Sequence, residues 1–439
     1  MGEAGGGIVF LPAGTYRLKW PAEGSYCLRI RHSNLVLRGD GREKSRLFLD
    51  ETESRHKTVL MVQPENGAWW FPKSEGTAVT ADLPMPTRRI PVASTAGFAV
   101  GDLVAVRTDL TEEWIADVGM TGKWKPTSNL RGVTYVRRIT SVDEPAKSLE
   151  IDTPTRYWMK TRDNLRVYKL AGRVIRETGL EGFSIGMRQS PLQGFGDNDY
   201  TVQGTAGYAV HASAAIQMLY CEDSWGRDIG TFLPDGNDAR VHIHSHGIRL
   251  HYSRQVTLTN CDFRHAQYHG GGGNGYLYTF SGNDCLIRDS YAENGRHNYD
   301  FQNMWCSGNV LWRSTSKDGS LPSDFHMYLS QANLLDNVTC DGDFLECRYR
   351  PYAGPMHGES GTHNVFWNTH GVAYANKKPF IVYSKQHGPG YVIGTRGPAS
   401  AVYTDTDDFL ELIGQGDVLE PQSLWVDQLE RRLKPPPAR

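Results

Sequence analysis

The stretch from Gln255 to Ala373 repeats itself, and its period limits the fold more than any other feature. Four segments open alike: NDCLIRDSYA at Asn283, NVLWRSTSKD at Asn309, NLLDNVTCDG at Asn333 and NVFWNTHGVA at Asn364. Their spacings are 26, 24 and 31 residues. Looser copies begin earlier, QVTLTNCDF at Gln255 and AIQMLYCED at Ala215. A period of about 20–50 residues marks a solenoid, propeller or array. The units hold short strand-like apolar runs and no helical spacing, so they read as coils of an all-β parallel β-helix. Strand then lies on strand about 4.8 Å apart, and side chains of equal phase stack. The asparagines that open the units fit a structural ladder, because Asn tolerates left-handed turns and its amide can bond along a stack.

Composition narrows the function classes. The 439 residues suffice for one large solenoid, and 47 glycines serve its many turns. A net charge of −2 gives no basic field for nucleic acid. No apolar run approaches the roughly 20 residues of a membrane span. The seven cysteines are Cys27, Cys221, Cys261, Cys285, Cys306, Cys340 and Cys347. Their odd count and scatter argue against a disulfide framework, and no CxxC pair suggests zinc. Cys221 and Cys261 read as small apolar rungs, with one disulfide between coils left open.

GGGIVFLPAGTYRLKW, followed by LRIRHSNLVLRGDGREKSRLFLD, reads as short strands broken by Gly, Pro and Asp turns. Gly5 to Tyr16 and Asn34 to Gly41 resemble the opening coils of the pectate-lyase-like superfamily of right-handed β-helices. There a GGG-x-V-x-LP-x-G-x-Y segment leads into N-L-V-L-x-G-x-G. The resemblance implies a carbohydrate-active protein, secreted or periplasmic, whose partner is a polysaccharide or oligosaccharide. Trimers occur among β-helix proteins, so a homo-oligomer is left open. Members typically carry capping residues before the motif; here they are expected to be absent or confined to Met1–Ala4. The start lacks a basic segment followed by an apolar core, so no signal sequence is expected in this chain.

Four regions follow. Residues 1–75 form N-terminal β-helix coils. Residues 76–170 break the repeat with alternating strands and hairpin turns, an inserted small β-subdomain that either shapes one wall of a groove or elaborates the fold. Residues 171–400 form the main β-helix with the groove. In 401–439, Leu424, Trp425, Leu429 and Leu433 mark an amphipathic C-terminal helix before a disordered KPPPAR tail.

A second alignment carries the chemistry. NYDFQNMW, PSDFHMYL and DGDFLECR align Asp300, Asp324 and Asp343, each before a phenylalanine: Phe301, Phe325 and Phe344. With Phe inward, strand alternation turns the acids outward. Three carboxylates then stack on one solvent face, neighbours about 5 Å apart, and repulsion raises at least one pKa. The expected catalytic set is Asp300, Asp324, His297 and His326. The expected substrate contacts are Asp343, Glu346, Arg348, Arg350, Tyr352, His265, His269 and Tyr328. No metal ligands are assigned. HAQYHGGGGNGY is expected as a loop at the groove rim; no helix follows it, so a phosphate cradle is disfavoured.

Three functions are open. Glycoside hydrolysis needs a carboxylic acid and a carboxylate, which stacked aspartates supply without a cofactor. Polygalacturonases and dextranases cluster aspartates on adjacent coils in this way, although their NTDG, GDD and GHG motifs are absent. A polysaccharide lyase would use His326, Arg348, Arg350 and Tyr328 on a uronate polymer, with Ca2+ on the acids, but the Arg-x-x-Pro-x-x-Arg pattern of pectate lyases is absent. A non-catalytic carbohydrate-binding β-helix is third. The stacked acids place hydrolysis slightly ahead of elimination.

Overall fold

The computed structural model describes residues 5–67, 69, 75–126, 132–170, 174–352, 354, 357–405 and 407–434. Met1–Ala4 and positions 435–439 of the expected tail lie outside the described residues.

Short β-branched and apolar strands stack coil upon coil in three faces, and their pairings are parallel. The first face runs from Gly7–Leu11 and Leu35–Gly39 through Leu286–Arg288 and Val310–Trp312 to Tyr391–Arg396 and Phe409–Glu411. The second includes Gly14–Leu18, Ser45–Leu49, Tyr291–Glu293 and Thr315–Lys317. The third, which carries the chemistry, stacks His246–Arg254, Tyr276–Asn283, His297–Gln302, Ser323–Met327, Leu345–Arg348, Val382–Lys385 and Val402–Thr404. The chain is thus a parallel β-helix. Parallel pairing runs past residue 400 to Glu411, beyond the expected end of the coils.

Side chains of equal phase fill the interior. Phe280, Phe301 and Phe325 stack with centroids 4.6 Å apart at each step, and Tyr278 stacks on Tyr299 at 4.9 Å. Six cysteines are buried and all seven are free, so no disulfide joins the coils. At one corner the asparagines form the expected ladder. Asn309 Nδ2 donates to Asn333 Oδ1 at 2.9 Å, and Asn333 Nδ2 to Asn364 Oδ1 at 2.9 Å. The same oxygens accept backbone N–H groups of Asn309 and Asn333 at 3.1 and 3.0 Å. Each buried amide therefore closes the hydrogen bonds of a turn.

Between Thr77 and Lys169 the chain leaves the helix and forms a six-stranded antiparallel sheet. A bridge between Val79 and Val92 joins its two edges, closing a small barrel. Ile90, Val104, Val106, Ile139 and Ile151 fill it. It docks by polar contacts: Val136 N donates to Asn283 Oδ1 at 2.8 Å, and buried Arg137 pairs with Asp284 at 2.9 Å. The C-terminal helix Leu424–Leu433 lies on the first face, where Trp425 meets Trp312 at 4.3 Å and Ser423 caps its start. No helix among the described residues is long and apolar enough to cross a membrane.

The ladder makes a direct prediction. Asn333→Ala strands the buried partners of its amide, at about 1–3 kcal/mol for each polar group left unpaired. Urea denaturation should show a clearly lowered midpoint with the β-rich circular dichroism retained; an unchanged midpoint contradicts the ladder's role.

Candidate active site

One outward row of the third face sets the site. Arg249, Thr279, Asp300, Asp324, Glu346, Tyr383 and Tyr403 follow one another in register on successive coils. The inward stack of Phe301 on Phe325 turns Asp300 and Asp324 to this side, as alternation requires. The third acid of the row is Glu346, not Asp343. Asp343 sits on the preceding turn, where Ser316 and Ser323 donate to its Oδ2 and the Phe344 N–H to its Oδ1. It organises that turn, and burial pushes its carboxyl up to about 6.

The acids of the row are also not solvent-facing. Asp300 and Asp324 are 0% and 1% exposed. Over them lies a cavity of about 1340 Å³ whose lining includes Arg249, Tyr276, His297, His326, Arg350 and His357. His326 reaches it because the register slips between Phe301 and Gln302, which faces Met327. A local bulge of this kind re-aims a side chain.

Asp324 holds the floor together. Arg350 Nη2 lies 2.6 Å from its Oδ2, His326 Nδ1 3.1 Å from the same oxygen, and His297 Nδ1 3.3 Å from Oδ1. Arg350 also reaches Glu346 at 3.1 Å, and Arg348 Nε meets Glu346 at 2.9 Å. Arg350 Nη1 lies 3.1 Å from His326 Nδ1 and 3.2 Å from the His326 carbonyl oxygen, and the carbonyl can accept its proton, so it needs no lone pair on the ring. The His326 tautomer with its proton on Nδ1 donates to Asp324 and leaves Nε2 bare. Tyr276 Oη and His357 Nε2 converge on that nitrogen at 3.3 and 3.2 Å.

Charge follows burial. Desolvation pushes the Asp300 carboxyl well above the usual carboxylate range, and the Asp324 charge adds to it. Neither Asp300 oxygen has a hydrogen-bond partner, so the neutral acid is the form that fits. Burial alone would raise Asp324 too, but His297, Arg350 and His326 reverse this and hold it low. Arg350 is the permanent cation of that group. Desolvation lowers His297 to about 3 and His357 to about 4, so both are neutral at neutral pH. It raises the Tyr276 phenol, which stays protonated.

The inserted barrel supports one wall. Trp124 Nε1 donates to the His357 carbonyl at 2.9 Å, and Lys123 Nζ to the Pro351 carbonyl at 2.8 Å. The barrel thus braces the loop that supplies Arg350, Tyr352 and His357.

Other expected contacts fall elsewhere. Tyr328 is buried against Trp124, ring centroids 6.4 Å apart, rather than in the groove. His265 occupies a left-handed turn position, its ring 4.8 Å from His242. His269 has both nitrogens engaged, by Ser320 Oγ at 2.6 Å and the Ala266 carbonyl at 2.7 Å. Neither histidine is among the cavity-lining residues. Tyr352 stands at the rim, bonded to Arg348, and Gly272 and Gly273 of the glycine-rich loop line the cavity as expected. Sequence reasoning missed Tyr276, Arg249 and His357. Tyr276 does pair in register with His297, but the glycine-rich excursion before it hides that spacing.

His297, Asp324 and His326 could present three metal ligand atoms within 4.8 Å. Arg350, 2.6 Å from the same carboxylate, opposes a cation there. Calcium fits no better: the Asp324 and Glu346 oxygens already face Arg350, Arg348 and the histidines, and Asp300 is sealed.

No family model and no curated protein matches the chain. Among solved structures, it is similar to the tailspike gp61 of Pseudomonas phage phi297, with 12% identity, 93% of this chain on 67% of that one and a TM-score of 0.48. It is similar to the gp54 tailspike of Acinetobacter baumannii bacteriophage AP22, solved with A. baumannii capsular saccharide, at 8% identity, 93% on 64% and 0.47. For an alginate lyase from Paenibacillus sp. str. FPU-7 the values are 10%, 54% on 86% and 0.32. The fold assignment rests on the chain's own strand pairing.

The buried acid gives a pH prediction. Asp300 keeps its proton when folded and loses it near pH 3.9 when unfolded, the ordinary Asp value of about 3.9. Above that pH the native state holds more protons, so stability falls as pH rises toward the folded value. Asp300→Asn removes this dependence. Its urea midpoint, relative to the parent, should improve steadily with rising pH; a constant difference contradicts a neutral Asp300.

Proposed function

We propose that the groove cleaves a uronate-bearing polysaccharide by β-elimination. One observation carries this reading: Arg249 and an Asp324-oriented His326 face the same cavity while both aspartates lie beneath it. Arg249 has no ion-pair partner among the described residues, and its buried Nε has no hydrogen-bond partner. A guanidinium placed so is suited to a substrate carboxylate. Binding that carboxylate acidifies the adjacent C5–H and stabilises the charge that develops as the proton leaves.

The step then follows from the geometry. The bare Nε2 of His326 takes the C5 proton, with Asp324 fixing the ring and stabilising the imidazolium. Tyr276, kept protonated by burial, gives its phenolic proton to the departing O4. The C5–H and C4–O4 bonds break, the C5 electron pair forms the C4=C5 double bond, and the O4 pair stays on oxygen. His357 Nε2 lies 3.2 Å from the same imidazole nitrogen at rest and yields its place to substrate. Such a substrate places the protein's work outside the cytoplasm.

Hydrolysis is the second reading, favoured by one feature. Asp300 is a neutral acid beside an ionised Asp324 one coil away. A one-coil spacing of about 5 Å matches a retaining pair. Access opposes it, since both carboxyls are covered by the histidines.

The test is a panel of uronate polymers read two ways. Reducing ends together with ultraviolet absorbance from unsaturated uronate mean elimination; reducing ends alone mean hydrolysis; neither means a binding protein. On the best substrate, His326→Ala should lower kcat by about 10²–10⁴-fold, the usual worth of acid–base assistance. Arg249→Met should raise KM and lower kcat. Asp300→Asn, isosteric with the neutral acid, should keep turnover close to the parent's; its loss favours the hydrolase.

A further inference from the structure

Of the chain's 21 tyrosines, four are strongly exposed among the described residues: Tyr349 at 40%, Tyr352 at 70%, Tyr374 at 40% and Tyr403 at 47%. Tyr352 and Tyr374 line the main cavity, Tyr349 lines a smaller one beside it, and Tyr403 ends the outward row. Single exposed aromatics are ordinary, but a cluster rimmed by polar groups marks a ligand surface. The outward row that holds Asp300, Asp324 and Glu346 continues in register into Tyr383 and Tyr403. The tyrosines therefore stand on the same face, two and three coils beyond Asp324, or about 10–14 Å along the axis.

The cluster is held in place. Tyr383 meets Tyr403 edge-on at 4.9 Å, and Phe380 lies 5.8 Å from Tyr403. Arg348 sits 5.0 Å over Tyr383 and Lys385 5.1 Å over Tyr403. Beside it lies a second cavity of about 510 Å³, lined by Tyr349, Tyr383, Lys385 and His387, which shares Arg348 and Tyr352 with the main one. Aromatic rings offer faces for the C–H sides of sugar rings, and the surrounding polar groups can take hydroxyls. The opposite end differs: Arg240, His246, Arg249 and Arg296 line it.

We infer that the groove has two chemically distinct ends, and that the tyrosine end binds neutral sugar residues of a heteropolymer whose acidic residue sits at the arginine end. This rests on the elimination reading for the acidic residue. The tyrosine end needs no charge on its ligand, because Arg348 is already paired with Glu346 and Lys385 with Asp405.

The experiment measures binding to the full chain carrying His326→Ala, so that nothing is cleaved. Calorimetry compares tetragalacturonate, cellotetraose and a panel of mixed tetrasaccharides joining glucuronate to neutral hexoses. At least one mixed tetrasaccharide should bind about tenfold tighter than tetragalacturonate, a difference calorimetry resolves readily. Adding Tyr403→Ala should abolish that gain and leave tetragalacturonate binding unchanged, while Tyr403→Phe keeps it. If tetragalacturonate binds as well as every mixed ligand, or if Tyr403→Ala leaves the preference intact, the two-ended groove is overturned and the elimination reading stands. If only cellotetraose binds, the acidic reading falls. If nothing binds, both fall.

Discussion

A carboxylate taken wholly out of water must be neutralised by partners within hydrogen-bond reach, and Asp324 is such a carboxylate. The groups that neutralise it are the groups that make the site. Arg350 comes from a loop and supplies the opposite charge, and His326 comes from a bulge two residues on, while neutral His297, from the coil before, lies alongside with its Nδ1 2.6 Å from the Pro322 carbonyl. Removing Asp324 would leave Arg350 buried beside Glu346 alone and free the His326 ring to turn. Burial keeps Asp300 neutral one coil away, and the same negative charge adds to it. Two chemically identical side chains thus take opposite protonation states because one has a guanidinium 2.6 Å from its carboxylate and the other makes no such ion pair.

The repeat made the architecture legible. Asn309, Asn333 and Asn364 open coils because their stacked buried amides close the turns, and that periodicity is written directly in the chain; Asn283 stands two residues ahead of the ladder position, which Cys285 holds, and takes the barrel's Val136 N–H instead. The alignment of Asp300 with Asp324 was legible for the same reason, since 24 residues separate both this pair and the asparagine pair Asn309 and Asn333. It failed at the next coil. Asp343 shares the Asp-Phe spelling, yet the chain there takes 22 residues from Asp324 to its in-register partner, Glu346. A strand frame slips whenever a turn changes length, and a spelling match does not report the slip.

Depth was the other illegible quantity. Alternation says which way a side chain points but not what covers it. The acids point outward and are still sealed, because Tyr276, His297 and His326 lie over them. Those rings are brought together by three different coils. His357 joins them through a loop braced by Trp124, 233 residues away in sequence. The expected contacts at Tyr328, His265 and His269 failed for related reasons: each lies near the aligned acids in sequence, but packs into a barrel contact or a turn. The inserted barrel, ambiguous from sequence, is a brace for the wall of the site.

The most direct measurement is a crystal structure of the His326→Ala protein with a uronate oligosaccharide it no longer cleaves. The account predicts the uronate carboxylate on Arg249, the leaving oxygen within hydrogen-bond reach of Tyr276, and the C5–H directed at the space vacated by the imidazole. Reacting atoms in such a complex belong about 3–3.5 Å apart once the ring is restored. A glycosidic oxygen seated instead against the Asp300 or Asp324 carboxyl, with the carboxylate away from Arg249, would contradict it.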